Sequence, residues 1–394
     1  MGDHIHFGNI RDSYLPYGRQ WIDADDIQAV VNVLKGDFLT TGPYVLEFER
    51  QVAQYVDAKY AVAFSNGTAA LHAACFAAGI GEDDEVITTP MTFAASSNCV
   101  LYQKGKVIFA DIDEQTYNID PASIKDRITS KTKAIIPVDF TGQPAYMDLI
   151  LNIAMEFNLI VIQDAAHSLG AAYKGRKIGA LSDMTMFSFH PVKHITSGEG
   201  GMITTNNKEY FDKLMQFRTH GITRDKEKLQ KDEGPWYYEM QFLGYNYRLT
   251  DIQAALGTSQ LTKIDRFIEL RKKYVDMYNK AFKNMPEIIL PFQHEHTESS
   301  WHLYIIRLNL HLLSAGRREI FEALQKQNIG VNVHYIPVYL NPYYQELGYE
   351  KGLCPKAEKL YNEMITLPLF PSMTEQDAED VIRAVQKTIT LYRK

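Results

Sequence analysis

The sequence predicts an α/β protein: a large domain on a mainly parallel sheet, followed by a small C-terminal α+β domain. Three observations carry that reading. The chain has 394 residues, more than one hydrophobic core usually organises, so two lobes are expected. From Tyr60 to about Asn207, short β-rich runs alternate with helical segments. That is the pattern of right-handed crossovers in a sheet covered on both faces. Farther on, the alternation gives way to a long helical stretch and mixed elements. The expected division is residues 1–260, an N-terminal arm with the large domain, and residues 261–394, a long connecting helix with the small domain.

Each element has its own local reason. "DADDIQAVVNVLKG" offers Asp23 as a cap, helical apolar spacing and a glycine stop, and "YVLEFERQVAQYVD" reads the same way. Next, "YAVAFS" leads into "GTAALHAACFAAGI", and "EVITTP" into "TFAASSNCVLYQKG". "VIFADID" precedes a helix near Pro121, and "KAIIPVDF" precedes "MDLILNIAMEFN". "LIVIQDAAH" and "MTMFSFH" follow as strands, and "GGMITTN" begins another. A helical pattern from about Thr250 to Phe282 is expected to connect the lobes. Beyond it, "HLYIIRLNL", "REIFEALQKQ", "GVNVHYIPV" and "EQDAEDVIRAVQKTITLY" supply the small domain, with His334 and Tyr335 ending a strand.

Hydrophobic residues make up 45 % and charged residues 23 % of the chain, an ordinary globular balance. The 41 basic and 48 acidic residues give a net charge of −7. That argues against nucleic acid as a partner and leaves small-molecule chemistry open. Cys75, Cys99 and Cys354 are odd in number and far apart, which fits reduced thiols better than disulfides or a metal site. The polar start "MGDHIHFGNIRDSYLPYG" lacks the apolar core of a signal peptide. No run reaches the roughly 18 apolar residues of a membrane span. A cytoplasmic protein with no membrane contact is expected.

Ligands of parallel sheets usually sit outside the carboxyl ends of the strands. The residues there are Ser65 to Thr68, Pro90 to Phe93, Asp139-Phe140, Asp164 to His167 and Ser188 to His190, with Lys193 just beyond. "FSNGTAAL" is a strand, a small-residue turn and a helix start, which would attract a phosphate or simply cap the helix. Asp164 could cap a helix, bind a metal or face a cationic ring nitrogen, and no ligand-spaced cluster surrounds it to favour metal. Most lysines are solvated surface charges, but Lys193 lies between strand-end residues and glycines. An amine desolvated in a cleft there would lose basicity and could form a Schiff base. A phosphate cradle, an aspartate and an amine together suit pyridoxal phosphate.

"SNGTAALHAA", "TTPMTFAASSN", "VIQDAAHSLGA", "SFHPVKHITSGEGGMITTNN" and "GYNYRLTDIQAALG" occur in this order. In that series, from about Tyr17 to the C-terminus, the chain resembles the sugar aminotransferases of the DegT/DnrJ/EryC1 group, fold-type I pyridoxal-phosphate enzymes. The resemblance implies that Lys193 holds the cofactor as a Schiff base and moves the proton between carbon centres. It implies Asp164 as the partner of the ring nitrogen, Gly67, Thr68 and Ser188 at the phosphate, and Phe93 on the ring face. His167 would lie near the cofactor hydroxyl, where many relatives have glutamine. Asn246 would reach the phosphate of the neighbouring subunit's cofactor, making the active unit a homodimer with sites at the interface. The amino donor implied is L-glutamate.

Two details depart from the commoner pattern, His190 in place of a tyrosine and "PVDFTG" in place of a "PVHLYG"-like strand end. With "VNVHYIPVY" and "SSWHLY", they resemble the branch that aminates a UDP-linked 4-keto-6-deoxy sugar on the way to pseudaminic acid. Its product is UDP-4-amino-4,6-dideoxy-N-acetyl-β-L-altrosamine. That match implies a substrate site of Tyr17, Asp37, Phe38, Leu39, Thr40, Gly67, His190, Asn246, Val333, His334, Tyr335 and Ile336. A basic residue at Asp37 would suit a diphosphate better. His302 could bind ligand or serve structure, and the charged loop "TRDKEKLQKDEGPWYYE" reads as a solvated loop or flap. Rival readings are amination of a GDP- or dTDP-linked keto sugar, a dehydratase with histidine in place of the lysine, and a regulatory relative without it.

Overall fold

The computed structural model describes residues 11–394. The polar residues 1–10, which entered the expectation of no signal peptide, lie outside that range. Asp23 caps α1 (Ala24–Leu34) by accepting from the Asp25 and Asp26 N–H groups. Pro43 opens α2 (Pro43–Tyr55), where its missing N–H leaves nothing unsatisfied. The main sheet has seven strands: β1 (Tyr60–Phe64), β2 (Glu85–Thr88), β3 (Lys106–Phe109), β4 (Thr132–Ile136), β5 (Ile160–Asp164), β6 (Met184–Ser188) and β7 (Gly201–Thr205). Their spatial order is β1-β7-β6-β5-β4-β2-β3. All neighbours run parallel except β7, which is antiparallel to both β1 and β6.

Strand alternation feeds two cores. On β1, Val62 and Phe64 face one core while Ala61 and Ala63 face the other. The first face is covered by α3 (Gly67–Ala77), α4 (Ala95–Tyr102) and, in part, the helix Lys208–Phe217. The second is covered by α2, the helices Pro121–Arg127 and Met147–Phe157, and the helix Asp251–Leu261. A third core forms from the C-terminal helices and one face of the antiparallel sheet Ile288–Ile289, Tyr304–Leu308 and Met364–Leu367. The other face of that sheet, through Leu303 and Ile305, joins the first core.

Two expectations are corrected. The single helix from Thr250 to Phe282 is two, Asp251–Leu261 and Ile264–Phe282. Lys263 leaves the helical path with φ −107° and pairs with Asp23 and Asp26 of α1. The segment carrying His334 and Tyr335 forms no regular strand, and its one bridge joins Asn332 to Thr366. Pro337 has no N–H to extend the ladder. The charged loop closes as a two-residue ribbon, Ile222–Thr223 against Glu239–Met240, with Trp236 70 % exposed.

Candidate active site

The carboxyl ends of β1, β5 and β6 border a cavity of 1020 Å³. Asp164, the last residue of β5, is 4 % exposed. It accepts hydrogen bonds from Ser96 Oγ at 2.6 Å and from the Ala166 N–H at 3.1 Å. Burial raises its pKa, while these two donors and the charge of Lys193 oppose the rise. Lys193 is half-buried and borders the cavity. Burial lowers its amine pKa to about 8, against the opposing pull of Asp164. Among the described residues its ammonium has no ion-pair partner.

Opposite lies the start of α3. Asn66 caps it by accepting from the Ala69 N–H at 2.8 Å, and Gly67 and Thr68 are its first two residues. Their N–H groups have no acceptor within the helix. A Cβ on Gly67 would lie 3.3 Å from Ser188 Cβ, so glycine keeps this turn open beside the Ser188 hydroxyl. β7 presses on the same turn, since a Cβ on Gly201 would lie 2.4 Å from the Asn66 carbonyl oxygen.

His167 follows Asp164 by three residues; its Nε2 is 3.2 Å from the Tyr335 hydroxyl and its buried Nδ1 has no partner. Burial lowers its pKa well below the usual value, as it does for neighbouring His302, whose ring centroid is 4.3 Å away. Tyr17 packs on His334 with ring centroids 5.1 Å apart. Phe93 borders the cavity with 63 % of its surface exposed.

The structure therefore gathers Lys193, Asp164, Gly67, Thr68, Ser188, Phe93 and His167 around one cavity, and adds Tyr17, His190, Val333, His334 and Tyr335. It does not bring Asp37, Phe38, Leu39, Thr40, Asn246 or Ile336 to that cavity. Asp37 to Thr40 are exposed and lie against the start of the helix Asp251–Leu261, where Leu39 O accepts from the Asp251 N–H. Asn246 is exposed and bridges Thr219. Sequence reading missed Ser96 and Tyr247, both of which line the cavity. Ser96 stands one helical turn after Phe93 and Tyr247 directly follows Asn246, so each was one step from a residue already singled out.

The donor set fits pyridoxal phosphate: N–H groups at a helix start and a hydroxyl for the phosphate, a buried carboxylate for the ring nitrogen, and an amine of reduced basicity for the aldehyde. Residues 20–386 match the DegT/DnrJ/EryC1/StrS aminotransferase family. The spore coat polysaccharide biosynthesis protein SpsC of Bacillus subtilis is 41 % identical over 381 residues, covering 96 % of this chain and 98 % of SpsC. A UDP-4-amino-4,6-dideoxy-N-acetyl-β-L-altrosamine transaminase of Campylobacter jejuni is 40 % identical over 370 residues, covering 93 % of this chain and 95 % of the relative. Among solved structures, the Helicobacter pylori aminotransferase PseC of pseudaminic acid biosynthesis superposes with a TM-score of 0.90 at 31 % identity, covering 96 % of this chain and 100 % of PseC. The PLP-form of the sugar aminotransferase Spr1654 of Streptococcus pneumoniae gives 0.89 at 30 % identity, covering 96 % and 99 %. The chain belongs to the DegT/DnrJ/EryC1/StrS aminotransferase family, and pyridoxal phosphate is its cofactor.

Proposed function

We propose that this protein transfers an amino group from L-glutamate to the C4 carbonyl of a UDP-linked 4-keto-6-deoxy sugar, yielding UDP-4-amino-4,6-dideoxy-N-acetyl-β-L-altrosamine. The observation that carries the transamination is the meeting of Lys193 and Asp164 in one cavity with the start of α3. The likeness to the C. jejuni transaminase and to PseC supports the sugar.

When bound, pyridoxal phosphate supplies an aldehyde that carries the amino group and a ring that draws electrons from the reacting carbon. Asp164 would keep the ring nitrogen protonated, and Ser96 holds Asp164 in place. Gly67, Thr68 and Ser188 would hold the phosphate, and Phe93 would pack against the ring. Lys193 Nζ takes the proton from Cα of glutamate and, in the second half, returns one to sugar C4. A pKa of about 8 lets one amine serve as base and then as acid. Tyr17, His190, Val333, His334 and Tyr335 border the sugar. Asn246 and the segment Asp37 to Thr40, remote from this cavity, would complete the site of a second copy in a homodimer. Among the described residues no helix is long and apolar enough to cross a membrane. A cytoplasmic location is part of this proposal and rests on the nucleotide-linked substrate it assigns.

The test incubates holoenzyme and glutamate with UDP-, GDP- and dTDP-linked 4-keto-6-deoxy sugars and reads the products by mass and NMR. The UDP-linked acetamido sugar should react fastest; if it stays untouched while another sugar is aminated, the substrate assignment fails. The similarity to SpsC favours a second reading, in which another nucleotide sugar of polysaccharide assembly is the acceptor.

A further inference from the structure

The strand end "PVDFTG" places a second carboxylate, Asp139, beside Asp164, and the mechanism above does not use it. Asp139 is 0 % exposed. Its Oδ1 accepts from the Ala145 N–H at 2.9 Å. Its Oδ2 accepts from Gln163 Nε2 at 2.8 Å and from Ser168 Oγ at 2.6 Å. Gln163 and Ser168 flank the turn Asp164 to His167, so one carboxylate ties both ends of the segment that presents two site residues. The Asp139 N–H also donates to Asp164 O at 3.0 Å, which fixes the ends of β4 and β5 to each other.

An acceptor-only group with three donors is built to be ionised. Burial, with the repulsion of Asp164, lifts its pKa to about 6, so it still carries charge at neutral pH. An asparagine of the same shape would turn its NH2 group toward one of these donors, so only a carboxylate accepts from all three.

We infer that Asp139 is a positioning residue for the cofactor: it pins the Gln163–Ser168 turn and adds a second negative charge behind Asp164 that favours the cationic cofactor linked to Lys193. The inference rests on Asp164 as the partner of the ring nitrogen and is independent of which sugar is aminated. Asp164 is the charged neighbour acting on Asp139. Around Lys193 stand Asp164, Glu199 and His190. His167, His194, His302 and His334 also face it, and burial keeps those four neutral.

Three proteins test this, wild type, Asp139→Asn and Ser168→Ala, each titrated as apoprotein with pyridoxal phosphate and then, loaded, titrated with pH in the visible band. Asp139→Asn should weaken cofactor binding on the order of tenfold and move the midpoint of the visible titration down by about one pH unit, the equivalent of that factor. Ser168→Ala removes a tether but keeps the charge, so binding should weaken while the midpoint stays. A folded Asp139→Asn protein with wild-type affinity and midpoint would overturn the inference. If that variant does not fold, unchanged affinity in Ser168→Ala overturns it instead. A midpoint that moves in Ser168→Ala as far as in Asp139→Asn would also refute the role of the charge.

Discussion

Lys193 shows how one side chain's surroundings set its chemistry. Below pH 8 the amine is mostly protonated and cannot attack an aldehyde; above it, it is mostly free. The rate at which apoprotein captures pyridoxal phosphate should therefore rise about tenfold per pH unit on the acid side of 8 and level off above it. Lys193→Ala should abolish both capture and turnover. A rate that climbs unbroken to pH 10 would sink the assignment of a lowered pKa. This lysine was legible in the sequence because strand ends and glycines flank it in the chain itself. Asp164, Gly67 and Ser188 were legible as residues at or just past the carboxyl ends of strands. Ser96 was not, because its meeting with Asp164 joins α4 to β5 and leaves no local pattern. Likewise, the ring contact of His167 with His302 joins distant segments and leaves no local pattern.

At the scale of elements, alternation and caps located the strands and helices of the large sheet well, since each is a local matter of period and termination. The direction of β7 was not legible: a short apolar run reads the same way up or down. The break at Lys263 was hidden too: its ion pairs with Asp23 and Asp26 join distant segments and leave no local pattern. β7 matters to the site through Gly201, whose Cα packs on the Asn66 turn. Gly201→Ala would put a methyl group 2.4 Å from a backbone oxygen, an overlap that costs about 1–3 kcal/mol. The variant should lose that stability in denaturant titration and, because the displaced turn starts α3, also lose cofactor affinity. Equal affinity at reduced stability would separate the strand from the phosphate turn.

The whole molecule leaves one set of expected site residues stranded. Tyr247 lines the cavity, while its neighbour Asn246 does not. Adjacent residues of an extended chain point to opposite sides, so this segment can serve one site inward and another outward. If the proposed homodimer shares its sites, mixing Lys193→Ala chains with Asn246→Ala chains should restore turnover, because a mixed dimer would contain one site with both residues intact. No gain on mixing would argue that each chain works alone. The antiparallel strand has a last consequence, in time rather than space. Phe64 pairs with Gly201, so β1 cannot join the sheet until the chain has been made and folded as far as β7. Pairings so distant in sequence close late and slowly. The proposed phosphate turn follows β1 directly, so cofactor capture should come late in refolding; a visible band that appears before the sheet is complete would refute that order.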